Sequence, residues 1–266
     1  MLVHDRRGEG PPLVLIHGIG ARRGAWDPVV ERLSDRETIA VDTPGFGDSP
    51  PLPPGTPVTM ETYLDAFEAF FAELGLERPH VAGNSMGGGI ALELARRGSV
   101  ASATALSPIG FWNGPESRYS RASLVSTRFL AQRAGGLLKK GVGSALGRQL
   151  LLGQLYGRPA KLDPRAARLD VDKLAGATGF DATLPVLGDY QFAHGEQLDG
   201  VPITIGWGTR DRLLLYRTQS ARAKAALPRA RHVPLDRCGH LPMSDDPEGV
   251  AALLRAATAT SPVPLG

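Results

Sequence analysis

The chain has a single cysteine, Cys238. A lone cysteine excludes an internal disulfide and a metal cluster built from cysteines. Strong charge of one sign is also missing: 30 Lys and Arg stand against 27 Asp and Glu, a formal net charge of +3 with a pI near 9.2. The basic residues are scattered, with no aromatic stripe among them, so a nucleic-acid partner is not expected. No apolar run approaches the length needed to span a bilayer. The opening residues, Met1-Leu2-Val3-His4-Asp5-Arg6-Arg7, have no apolar stretch behind their charges. No signal peptide is therefore expected, and the expected location is the cytoplasm.

What is present is ordinary for a globular protein with a sizeable core: 266 residues, 42% hydrophobic and 21% charged. Short apolar runs recur along the chain. Leu13-Val14-Leu15-Ile16 follows two prolines and reads as a strand buried on both faces, the kind found in parallel sheets. Residues 38–41, 80–82, 103–106, 201–206 and 232–235 read as further strands. Helix-like stretches at 25–33, 59–74, 87–97, 216–227 and 247–258 alternate with them. In the second of these, Met60, Leu64, Phe67, Phe71 and Leu74 share a face, Thr59 caps the start and Gly75 ends it. Asp245 and Asp246 read as caps of the last helix, with Pro247 in its first turn. The alternation predicts an α/β fold with a mainly parallel central sheet, helices on both faces and right-handed crossovers. Ligands in such folds sit at the C-terminal ends of strands.

Residues 111–197 break the rhythm. They hold no clear strand, and helix-like segments surround 124–131, 137–152 and 165–174. This stretch reads as a helical cap inserted between a first core part, 1–110, and a second, 198–266. Its leucines and Phe129 argue against a solvated linker. Its amphipathic, partly basic faces read as contacts with the core, so membrane contact is not expected. The tail, 261–266, is expected to be loose.

One stretch organises the rest. Gly83-Asn84-Ser85-Met86-Gly87 lies between a short apolar run and a run of helix formers. That is G-x-S-x-G, a sharp strand-to-helix turn that lifts a serine hydroxyl above a sheet edge. A side chain at either glycine would collide across such a turn. The helix beyond it aims its positive end at the serine, where negative charge would develop. Two later strand ends carry Asp211 and His240, after Trp207-Gly208-Thr209-Arg210 and Cys238-Gly239 respectively. A serine hydroxyl needs a base to take its proton as it attacks. A histidine suits that task, and a carboxylate on its other nitrogen fixes the tautomer. Asp211 is preferred over Asp236, Asp245 and Asp246 because it follows a strand and a glycine turn.

The order Ser85, Asp211, His240 is the triad order of the α/β-hydrolases. The chain resembles that family over essentially its whole length, through His17-Gly18-Ile19-Gly20, residues 42–49, Gly83 to Gly88, Trp207 to Asp211 and Gly239-His240. The resemblance implies a Ser-His-Asp hydrolase with a helical cap, acting on a small molecule without cofactor or metal. It implies an oxyanion hole from the backbone N–H of Met86 and of Ile19, and a structural role for His17. Asp42 and Asp48 are read as stiffening their Gly-rich loop, and Cys238 as a packed thiol. Phe111, Trp112 and Leu241 are candidate pocket residues; Phe111, Trp112 and Phe192 either line the pocket or pack the cap.

Serine at the nucleophile position sets aside the branches that need an aspartate there. The favoured activity is hydrolysis of a small to medium hydrophobic ester through an acyl-enzyme. C–C bond hydrolases and cofactor-free perhydrolases share the triad, although the former usually carry tryptophan where Leu241 stands. A non-catalytic binding homologue is the alternative from another class. Little chain precedes the first buried strand, so the family's usual edge strand is expected to be missing.

Overall fold

The computed structural model describes residues 1–198 and 200–259. The expected loose tail, 261–266, lies outside the described residues. Among the described residues, seven strands form one sheet: β1 (His4–Arg7), β2 (Pro12–Ile16), β3 (Glu37–Val41), β4 (His80–Asn84), β5 (Ser102–Leu106), β6 (Ile203–Gly208) and β7 (Arg231–Leu235). Their order is β1-β3-β2-β4-β5-β6-β7. All neighbours run parallel except β1, which pairs antiparallel with β3. The α/β class and parallel sheet are as the alternation predicts. The expectation of a missing edge strand is corrected. His4 pairs with Val41 and Arg7 with Thr38, and this polar edge strand has no apolar pattern to announce it.

Alternate residues of β2 feed two cores. Val14 and Ile16 join a cluster with α2 (Met60–Glu73) and α3 (Met86–Arg96). Leu13 and Leu15 join a second cluster with Trp26, Val29 and the last helix, α10 (Pro247–Thr258). This is the period-two consequence of a strand with both faces covered. Each fully buried Leu, Ile or Phe contributes roughly 1.5–3 kcal/mol of apolar burial. The helix expected over 25–33 shrinks to a 3-10 turn, Arg23–Trp26, and a single turn, α1 (Asp27–Val30). Likewise 216–227 opens with a π turn, Tyr216–Ser220, before α8 (Ala221–Ala226).

Between β5 and β6 lie α4 (Gly114–Gly141), α5 (Ala145–Leu152), α6 (Pro164–Gly176) and α7 (Phe180–Asp189). Sequence periodicity splits this stretch in two, and the structure agrees: α4 is two helical stretches that meet at a kink at Ala134, whose φ of −126° and ψ of 25° are not helical. An Asn113–Glu116 capping box starts it. A turn at 142–144 interrupts the helix inside a stretch expected to be one helix.

Asp246 caps α10, accepting from the Gly249 amide. Asp245 does not cap it, contrary to the sequence expectation. It ends a short helix, α9 (Pro242–Asp245), and its carboxylate accepts from the amides of Gly157 (2.7 Å), Arg158 (2.9 Å) and Gly239 (2.8 Å). The helical insertion is thereby tied to the loop that carries His240. The Leu241 amide adds a bond to the Leu155 carbonyl at 3.1 Å. Burial pushes the Asp245 carboxyl above its ordinary pKa, and the three amides offset that cost. Removing the carboxylate strands three amide donors. Asp245→Ala is expected to lower unfolding free energy by about 2–4 kcal/mol, read by urea titration; a change below about 0.5 kcal/mol contradicts the clamp.

Candidate active site

The parallel sheet places three loops side by side at the C-terminal ends of β4, β6 and β7. Ser85 follows β4 with φ 56° and ψ −112°. An L-residue held there costs of the order of 1–3 kcal/mol and persists only where its surroundings enforce it. The enforcement is visible. The Ser85 amide donates to the Leu106 carbonyl on β5, and its carbonyl accepts from Gly89 and Ile109. A Cβ at Gly83 would lie 2.0 Å from the Gly87 carbonyl oxygen, and one at Gly87 would lie 2.3 Å from that of Ile16. Only glycine lets these backbones approach.

Asp211 and His240 meet. His240 Nδ1 donates to Asp211 Oδ2 at 2.8 Å, and both side chains are buried. The other Asp211 oxygen accepts from the amides of Leu213 (3.0 Å) and Leu214 (2.9 Å), an Asx-type turn that aims the carboxylate. A carboxylate only accepts, so Nδ1 is the donor of this bond, and the tautomer it selects leaves the lone pair on Nε2. Asn84, next to Ser85, donates to the His240 carbonyl at 2.9 Å and to Leu106 at 3.1 Å. The serine turn and the histidine loop are thus joined directly. Among the described residues, no hydrogen bond links the Ser85 hydroxyl to the His240 ring. The amides of Ile19 and Met86 likewise have no protein acceptor among the described residues. Catalytic hydrogen bonds commonly tighten only when substrate is bound.

The model of the alpha/beta hydrolase family matches residues 13–253. The chain belongs to the alpha/beta hydrolase family. It is 32% identical over 281 residues to the pimeloyl-[acyl-carrier protein] methyl ester esterase of Methylococcus capsulatus, covering 97% of this chain and 98% of that protein. It is 29% identical over 265 residues to the dihydrolipoyllysine-residue acetyltransferase component of the acetoin cleaving system of Cupriavidus necator. That match covers 95% of this chain and spans only 65% of the relative's length. A solved structure of a membrane phospholipase A, described as a bacterial virulence factor, superimposes with TM-score 0.75 at 27% identity. It covers 97% of this chain and 82% of that one.

In this alpha/beta hydrolase the space above Ser85 is a cavity of about 20 Å³, lined by Ile19, Ser85, Trp112, Leu124, Leu184 and Leu187 among others. That is room for about one water. A larger open groove of about 520 Å³ lies beyond Asp211, beside Arg210, Arg212 and Arg217. Ser85 is not in its walls. Of the three expected pocket residues, Trp112 alone lines the Ser85 cavity; its indole N–H donates to the Tyr190 carbonyl. Phe111 is buried in the main core, its ring tilted against Phe192 and edge-on to Trp207. Leu241 packs against the second core cluster instead of facing the cavity.

His17 supports the loop before Ile19. Its Nδ1 donates to the Gly18 carbonyl at 2.7 Å, and its Nε2 accepts from the Thr43 amide at 3.1 Å. The Nε2 acceptor contact requires a neutral ring, and burial pushes its pKa below the ordinary 6.5. Asp42, fully buried, accepts from the amides of Arg23 and Asp48, and Arg23 reaches both Asp42 and Asp48. The buried Cys238 thiol is pushed up to about 12 by desolvation first and by Asp245 next. Among the described residues, no group of three or more His, Cys, Asp or Glu is placed to hold a metal ion. Sequence reasoning missed Asn84 and Asp245. A helix-capping pattern hid the latter, and nothing in the motif singles out the former.

The His17 contacts carry a pH consequence. A histidine whose folded pKa is depressed binds its proton in the unfolded chain first, so stability falls as pH drops below about 6.5. His80, half-buried and also lowered by desolvation, adds in the same direction. Urea midpoints measured between pH 8 and 5.5 should fall, at up to about 1.4 kcal/mol per pH unit for each such histidine. His17→Gln should flatten that slope. A wild-type midpoint constant over this range contradicts the neutral, buried ring.

Proposed function

We propose that this protein is a serine hydrolase that cleaves a small to medium, largely hydrophobic ester through an acyl-enzyme on Ser85. The observation that carries the reading is the 2.8 Å bond from His240 to Asp211, with Ser85 on a strained turn at the same sheet edge.

In the first half-reaction, Ser85 Oγ attacks the ester carbonyl while His240 Nε2 takes its proton. The C–O bond to the alcohol then breaks, and the imidazolium returns the proton to the leaving oxygen. In the second, water attacks the acyl carbon, His240 takes a proton from it, and Ser85 leaves as the hydroxyl when the acid departs. Asp211 holds the ring in the required tautomer and stabilises the imidazolium. The unsatisfied amides of Ile19 and Met86 hold the oxyanion, each worth roughly 3 kcal/mol in the transition state. The apolar walls of the Ser85 cavity support a hydrophobic acyl group. The similarity to an esterase over nearly the full length of both chains supports ester over C–C cleavage.

Turnover of a short p-nitrophenyl ester tests this. Ser85→Ala should abolish it with the thermal melt unchanged. Asp211→Asn should lower kcat by about 10⁴, because the amide stabilises the wrong ring tautomer. Wild-type rates from Ser85→Ala would remove the serine from the mechanism.

A further inference from the structure

The helices between β5 and β6 are expected from sequence to bury their apolar faces against the core. The structure bears this out in part: Phe180, Leu184 and Leu187 join the main core and Leu124 packs against it, while other apolar side chains stay exposed. Among the described residues, every exposed large hydrophobic except Met1 lies between positions 119 and 169. On α4 and α5 these include Val125, Phe129 (55% exposed), Leu130, Leu137 (74%), Leu146 (70%) and Leu150 (74%). Exposed large apolar side chains concentrated in this way mark an interaction surface more often than a bare one.

Charge on the same helices is one-sided. Residues 114–152 contain seven basic side chains, six of them outside the interior because Arg148 is buried, and one acidic one, Glu116. Glu116 is buried and bound to Arg222 and Thr218, so it adds nothing to the outer face. The acids on neighbouring helices are already engaged: Asp172 with Lys139, Asp181 with Arg128, and Asp189 near Arg121 at 3.6 Å. Arg118, Arg133 and Lys140 have no ion-pair partner among the described residues, and all three are exposed. Helical spacing puts Arg118 and Arg133 on the stripe that carries Val125 and Phe129, and the exposed Leu137 and Lys140 follow beyond the bend at Ala134. Arg133 lies over the Phe129 ring at 5.6 Å. The exposed stripe of α4 therefore alternates large apolar groups with unpaired cations and holds no acid.

We propose that the outer face of α4 and α5 is a docking surface for an anionic lipid bilayer. The helices would lie in the interface, with the leucines and Phe129 among the acyl chains and the cations against lipid phosphates. A second copy of this chain is a poorer occupant, because a symmetric contact brings the unpaired cations of both faces together. Among the described residues no helix is long and apolar enough to cross a membrane, so the surface described is one for lying on a bilayer. This inference does not depend on the acyl-enzyme mechanism.

Vesicle flotation of the Ser85→Ala protein tests it without lipid hydrolysis. Vesicles with 30% phosphatidylglycerol in phosphatidylcholine should carry the protein at low salt. Pure phosphatidylcholine, or raising salt to half molar, should lower binding by roughly tenfold or more. Adding Phe129→Ser with Leu137→Ser, or Arg133→Glu with Lys140→Glu, should each lower partitioning by roughly tenfold or more, with the thermal melt unchanged. Three results overturn the proposal: no flotation with the anionic vesicles, flotation unchanged in both double variants, or a dimer by light scattering that Phe129→Ser with Leu137→Ser abolishes while vesicles recruit nothing.

Discussion

The backbone at Ser85 is the constraint on which the site depends. An L-residue there occupies a costly conformation, and it is held because two glycines let β4, α3 and the end of β2 come closer than any side chain allows. The sheet order does the rest. With β2 and β5 flanking β4, the loop of Gly18 and Ile19 leans on Ser85 from one side, and a Cβ at Gly18 would lie 3.2 Å from that of Ser85. On the other side β6 and β7 deliver Asp211 and His240, already bonded to each other. Residues more than a hundred positions apart are assembled by strand register, and Asn84 ties the serine turn to the histidine loop.

Much of this is legible in the sequence, for a physical reason. Strands buried on both faces are short apolar runs, and the G-x-S-x-G turn tolerates little but glycine at its flanks, so both leave marks that need no tertiary information. Asp211 and His240 are legible because each follows such a run. The polar β1 is not, since an edge strand hydrogen-bonded to β3 needs no apolar pattern. Asp245 is not, because an acid before a proline-led helix looks like a cap, while its real partners, Gly157 and Gly239, lie on other loops. Phe111 and Leu241 sit beside site residues in sequence, yet their side chains turn into the cores.

The insertion shows the same limit most clearly. Periodicity reveals that α4 and α5 have apolar faces and cannot say what covers them. The structure gives α4 two roles at once. Ser120 and Leu124 on its inner side help close the cavity over Ser85, while Phe129 and Leu137 look outward. Its far end is anchored: α5 leads into the segment of Leu155, Gly157 and Arg158, bound to Asp245 and Leu241 beside His240. The helix that helps close the cavity over Ser85 is therefore continuous with a segment bonded to the histidine loop.

On the proposed mechanism, a covalent acyl-serine lies between ester and acid. Protein quenched in acid during turnover of a p-nitrophenyl ester, then digested and mapped by mass spectrometry, tests that most directly. The predicted result is an acyl adduct on the Ser85 hydroxyl. A stable adduct on another residue, or a burst of leaving group with Ser85 unmodified, would contradict it.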